Sequence, residues 1–168
     1  MKRTENEAKR YQTFEDLEVY QVAREFRKMM YRVARRLPEE EKFALANQIR
    51  RAAVSLTNNI AEGHGRFHFL EQIKLMLQAR GSLEELLDDL NVCTDENYLP
   101  EDQTQKLKSE GWRTHKLING YIRFLRSRTT GESSRIREDV SDGDLNDNDL
   151  EDLFFGRFNP SSLQPFNE

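Results

Sequence analysis

The sequence predicts an all-α fold, an antiparallel up-and-down four-helix bundle with a disordered acidic C-terminal tail. Three observations carry that expectation. Apolar residues recur at steps of three and four in four long segments, and no segment alternates with period two. Pro38 and Pro100 fall where the periodicity breaks. After Thr129 the composition shifts to Gly, Ser, Asp and Asn, too poor in apolar surface to offset chain entropy.

The first helix is predicted over 14–37, with Val19, Val22, Phe26, Met29, Met30, Val33 and Leu37 on one face. Pro38 ends it, because the residue before a proline is pushed out of helical geometry. The second runs over 38–61 and faces the core with Leu45, Ile49, Ala52, Ala53, Leu56 and Ile60. Glu39, Glu40 and Glu41 fall in its first turn, where carboxylates favour the positive end of the helix dipole. Gly63 and Gly65 interrupt the pattern. The third covers 67–94 through Phe69, Ile73, Met76, Leu83, Leu87 and Leu90. The segment 95–102 is a loop, and the fourth helix over 103–128 presents Leu107, Ile118, Tyr121, Ile122 and Leu125. Short connections between such helices favour antiparallel neighbours. Residues 1–13 are predicted to be a flexible N-terminal arm, 14–128 the bundle and 129–168 the acidic tail.

Charge divides along the same boundary. The chain of 168 residues has a formal net charge of −4. Residues 1–128 carry 23 basic and 20 acidic side chains, a net of +3, whereas 129–168 carry 3 basic and 10 acidic, a net of −7. Cys93 is the single cysteine, which excludes an intramolecular disulfide and a cysteine-based zinc site. The charged N-terminus is followed by no apolar run, so a secretory signal is not expected, and no stretch approaches the ~20 apolar residues that span a bilayer. A soluble, cytoplasmic protein with no membrane partner is expected.

Two surface features point toward function. Between Phe43 and Ala61 the only charged residues are Arg50 and Arg51, and the face opposite the apolar stripe holds Asn47, Arg51, Ser55, Asn58 and Asn59, with Gln48 beside it and Glu62 completing the row. Small uncharged polar groups suit a packed, hydrogen-bonded contact, so this row is the candidate oligomer interface or channel lining. On the first helix Arg24, Arg27, Lys28, Arg32, Arg35 and Arg36 share the side opposite the apolar stripe, with only Glu25 among them. Such a ridge can follow a phosphate backbone of RNA or DNA without reading sequence. It also fits a solvated face, or a helix lying on a membrane surface.

Chemical constellations are sparse. Three residues before His64, His68 and His115 stand Ala61, Gly65 and Trp112, so the Glu-x-x-His signature of a di-metal bundle is missing. His64 and His68, spaced four apart, are weighed against an ordinary loop and surface role. Glu84, Glu85, Asp88 and Asp89 read as a solvated acidic patch. Gly63-His64-Gly65-Arg66 lacks the preceding strand of a phosphate loop. No catalytic residues, metal or cofactor are expected, and the chain is not read as an enzyme.

Three motifs nevertheless carry a resemblance. Gln48-Ile49-Arg50-Arg51-Ala52-Ala53-Val54-Ser55, then Asn59-Ile60-Ala61-Glu62-Gly63 and Gly65-Arg66, resemble the four-helix-bundle family of 23S ribosomal RNA intervening-sequence proteins. Phe14-Glu15-Asp16-Leu17 with Tyr20-Gln21 and Ala23 is similar to its opening motif, and Gly81-Ser82-Leu83-Glu84-Glu85-Leu86 to its third-helix motif. Thr57-Asn58-Asn59-Ile60 stands where the family usually reads Pro-Ser-Asn-Ile. The resemblance implies a homo-oligomeric ring, a homopentamer with a central channel. It extends to accessory proteins of diversity-generating retroelements, which partner a reverse transcriptase and bind nucleic acid.

In the tail, carboxylates surround Leu150, Leu153, Phe154, Phe155 and Phe158, a candidate docking motif over 150–158 that orders on binding or lies on the basic ridge. The combined expectation is a non-enzymatic oligomeric scaffold associated with nucleic acid or a nucleic-acid enzyme. The alternative is a protein–protein adaptor recruited through that acidic aromatic tail.

Overall fold

The computed structural model describes residues 13–129, and every regular element among them is helical. A capping box opens the fold: the Thr13 hydroxyl accepts from the Glu15 N–H at 3.2 Å, and the Asp16 carboxylate accepts from the Thr13 N–H at 2.9 Å. A 3₁₀ turn over Phe14–Asp16 leads into α1 (Glu18–Arg36), a second 3₁₀ turn over Glu39–Glu41 into α2 (Leu45–His64), then α3 (Phe69–Asp95) and α4 (Glu101–Ser127). Each helix packs on its successor, and α1 packs on α4, which closes the up-and-down bundle. The core draws on all four: Phe26 and Met30, Ile49 and Leu56, Met76 and Leu83, Ile118 and Ile122 are fully buried.

The connections at one end interlock. Glu41 accepts from the Leu45 N–H with Oε2 (3.0 Å) and from the Tyr98 hydroxyl with Oε1 (3.0 Å), joining the α1–α2 link to the α3–α4 link. Glu41 therefore serves α2 as a direct hydrogen-bond cap, and the dipole reading of Glu39, Glu40 and Glu41 is corrected: the chain breaks before Leu45 and α2 starts there. Asn97 takes a left-handed conformation (φ 58°) after α3, and the Tyr98 and Leu99 N–H groups turn back onto the Cys93 carbonyl at 2.8 and 3.1 Å.

At the opposite end two expectations change. Gly63 does not end α2. It is buried inside the last turn, where an added Cβ would meet Met76 Cε at 3.1 Å and Leu75 Cβ at 3.3 Å, so glycine lets α2 and α3 approach closely. Phe69, expected in the core stripe, is the first residue of α3 and stays exposed, because no neighbouring turn covers it.

Two further helical glycines separate space from propensity. Gly81 is exposed in α3 with nothing within 4 Å of an added Cβ, whereas at Gly111 a Cβ would meet Leu87 Cδ2 at 2.6 Å and Phe26 Cζ at 3.2 Å. Gly81→Ala should raise stability by about 0.5–1 kcal/mol through helix propensity alone. Gly111→Ala should fall below Gly81→Ala by at least about 1 kcal/mol, since overpacking offsets the same gain. Urea denaturation of the two variants beside the parent measures both; equal gains would contradict the close packing at Gly111.

Candidate functional site

The basic ridge stands where the periodicity of α1 requires. Arg24, Lys28, Arg32, Arg35 and Arg36 are exposed, and Arg27 is half-buried at the boundary with α2. There the Arg27 guanidinium donates to Thr57 Oγ1 at 2.8 Å, and that hydroxyl donates to the Val54 carbonyl at 3.2 Å. Lys28 pairs with Glu25 at 2.6 Å along the same helix. From α2, Arg50 reaches back to donate to the Ala34 carbonyl near the end of α1 at 3.3 Å.

These side chains shape two adjoining shallow grooves of about 480 Å³ each. One is lined by Arg27, Lys28, Tyr31, Arg32, Arg35 and Val54. The other contains Arg50, Arg51, Asn58 and Asn59, and shares Tyr31 and Val54 with the first. None of the residues lining either groove is acidic. A half-buried aromatic ring thus stands amid six cationic side chains contributed by two helices.

The uncharged row on α2 is split by its surroundings. Ser55 Oγ meets Ser82 Oγ of α3 at 2.8 Å, and Asn59 donates to the Ser55 carbonyl (2.8 Å) and hydroxyl (3.1 Å). Gln48 donates to the Asp89 carboxylate at 2.7 Å, and Glu62 pairs with Arg66 one turn along. Arg51 and Asn58 project from the strip as exposed side chains. Much of the row is therefore hydrogen-bonded within the chain, which sequence alone leaves open.

Asp89 corrects the reading of the acidic patch on α3. Glu84, Glu85 and Asp88 are exposed, but Asp89 retains only 2 % of its exposure. Its Oδ1 accepts from Gln48, while its Oδ2 is buried without a partner. Burial is the main cause that pushes its carboxyl up to about 6, helped by the nearby charges of Glu85 and Asp88 and opposed by the Gln48 hydrogen bond. A signal for this did exist: Leu86, Asp89 and Cys93 follow steps of three and four, and Leu86 and Cys93 are core residues.

The histidines occupy separate places. His64 ends α2 and His68 stands at the N-terminal cap of α3. His115 Nε2 lies 2.9 Å from Glu84 Oε1, and its Nδ1 lies 3.2 Å from Asn119 Nδ2. Among the described residues no group of three or more His, Cys, Asp or Glu side chains is placed to hold a metal ion. Leu150, Leu153, Phe154, Phe155 and Phe158, and the N-terminal arm before Thr13, lie outside the described residues.

A family model described as 23S rRNA-intervening sequence protein matches residues 15–120, a span that takes in α1, α2, α3 and most of α4. The chain belongs to the 23S rRNA-intervening sequence protein family. The match encloses both grooves on the α1–α2 face, the Ser55–Ser82 contact and Asp89. No curated protein matches the chain. Among the described residues of this family member, no helix is long and apolar enough to cross a membrane.

The raised Asp89 carboxyl makes stability depend on pH with a defined sign. An unfolded aspartate ionises near 3.8, whereas in the folded chain Asp89 ionises near 6. Between those values the folded chain holds a proton that the unfolded chain has released, so Asp89 lowers stability as pH rises through that window. Asp89→Asn should therefore gain about 1–3 kcal/mol over the parent near pH 8 and nothing near pH 4. Denaturant titrations of both proteins at the two pH values check this; a gain independent of pH would contradict it.

Proposed function

We propose that this family member is a non-enzymatic, homo-oligomeric scaffold, assembled as a ring of five, that holds a nucleic-acid backbone against its α1–α2 face. The observation that carries this reading is the pair of acid-free grooves around Tyr31, with Arg27, Lys28, Arg32, Arg35, Arg50 and Arg51 about them. Cationic side chains from two helices can neutralise successive phosphates, and an aromatic ring among them offers a base a stacking surface. Such binding is driven by counterion release and reads sequence weakly, as expected of a scaffold that presents RNA or DNA to a nucleic-acid enzyme.

The oligomer draws support from the exposed row along α2. Arg51 and Asn58 stand exposed on it, beside the exposed Gln48 and Glu62. Exposed polar side chains along a packed helix suit hydrogen-bonded contact between copies. Light scattering of the full chain should report a mass several times that of one 19.9 kDa protomer, and a monomer would contradict the ring.

Fluorescence anisotropy with a labelled single-stranded RNA, between about 50 and 200 mM salt, tests the backbone-binding face. Affinity should fall steeply with salt for the parent. The pair Arg32→Glu and Arg35→Glu should weaken binding about tenfold or more and flatten the salt slope by about one for each arginine removed. Affinity unchanged by the pair would contradict the assignment of this face.

A further inference from the structure

On the other flank of α2 from the basic face lies an open groove of about 850 Å³, between the first half of α2 and the second half of α3. We propose that this groove is a docking site for an arginine side chain presented by a partner protein, with the Asp89 carboxylate receiving the guanidinium.

Four features of the groove converge on that occupant. Asp89 lines it as a buried carboxylate with one oxygen held by Gln48 and the other, Oδ2, without a partner. A buried polar atom left unmatched is costly, so a donor reaching it gains more than it would in water. Glu85 and Asp88 from α3 and Glu41 from the turn before α2 line the same groove, against Arg51 as its cation. The site is thus net negative and lacks a positive charge beside its deepest acid. Phe43, 85 % exposed, and the partly exposed Val92 add an apolar margin beside the acids.

Guanidinium matches this combination better than other cations do. Its planar fork donates to both oxygens of a carboxylate, its face stacks on an aromatic ring, and its weak hydration eases entry into a partly apolar groove. Gln48 covers the carboxylate on the solvent side. It is an exposed residue whose uncharged amide makes a single hydrogen bond to Asp89, and a charged fork replaces that bond with stronger ones. The chain's own tail is an unsuitable occupant, since residues 129–168 carry 3 basic and 10 acidic side chains and would be repelled. The arginines of α1 belong to the face assigned above to phosphate.

Docking also requires an ionised Asp89. The groups around it are Glu41, Arg51, Glu85, Asp88 and the buried Cys93 thiol, itself pushed up to about 11 chiefly by burial and then by Asp89. With the empty-site carboxyl near 6, affinity for arginine should decline as pH falls through that value.

The test uses the full chain and a fluorescein-labelled peptide bearing arginine flanked by leucines, alongside the same peptide with neutral citrulline in place of arginine. Binding measured by anisotropy should be about tenfold weaker or more for the citrulline peptide, for Asp89→Asn, and on lowering the pH from about 7.5 to about 5. Glu85→Gln with Asp88→Asn, both on the exposed rim, should weaken binding by a smaller factor. Circular dichroism confirms that each variant keeps its helices. Undiminished binding to Asp89→Asn would overturn the proposal and leave the peptide on the acidic tail. Spermidine competing as well as the arginine peptide, with the same dependence on Asp89, would overturn it in favour of a small polyamine. Tighter peptide binding after removal of residues 2–12 would assign the groove to the chain's own basic arm and overturn the partner.

Discussion

Helix α2 lies between α1 and α3, so only a narrow strip of its surface reaches solvent, and the polar side chains at the packed edges of that strip must find partners within the chain. Long charged side chains would have to leave the packed flanks to stay hydrated. Serine and asparagine can instead bond where they stand, as Ser55 does with Ser82 and Asn59 does with Ser55. Gly63, buried in the last turn of α2, admits Met76 and Leu75 of α3. Shortage of charge on α2 is thus first a consequence of close packing, and any contact between copies builds on what that packing leaves exposed.

The same helix divides the surface electrostatically. On its α1 flank stand Arg27, Lys28, Arg32 and Arg35; on its α3 flank stand Glu85, Asp88 and Asp89. Arg51 and Ser55 line grooves on both sides. Opposite charges held on separate flanks of a rigid helix permit two partners of different charge to be held at once. A phosphate would be repelled from the acidic groove and a cation from the basic one, because like charge across so short a distance repels. A net charge summed over the whole chain conceals this arrangement, since the two flanks nearly cancel.

The four helices were legible because their core residues obey a single period. Val22, Phe26, Met29 and Val33 on α1, or Ile49, Ala52, Leu56 and Ile60 on α2, announce a buried stripe without reference to any neighbour. The start of α2 was not legible in this way. Lys42, Phe43 and Ala44 include no glycine or proline, and the break there depends on Glu41 bonding both Leu45 and Tyr98, a contact between distant segments. The six basic residues of α1 were visible as a ridge, but Tyr31 and the contribution of Arg50 and Arg51 needed α2 set beside α1. Asp89 was hidden by its company. Three exposed acids around it made the patch look solvated, although its spacing from Leu86 and Cys93 placed it toward the core.

On the function proposed, α2 separates a phosphate-binding face from an acidic one. Photo-cross-linking of the full chain to a 4-thiouridine-labelled RNA, with the modified peptides located by mass spectrometry, distinguishes the two faces. Cross-links are expected at Tyr31 and its neighbours on α1 and α2, with none on α3 between Glu85 and Val92. Cross-links concentrated on the α3 flank, or at the exposed Trp112 of α4, would contradict it.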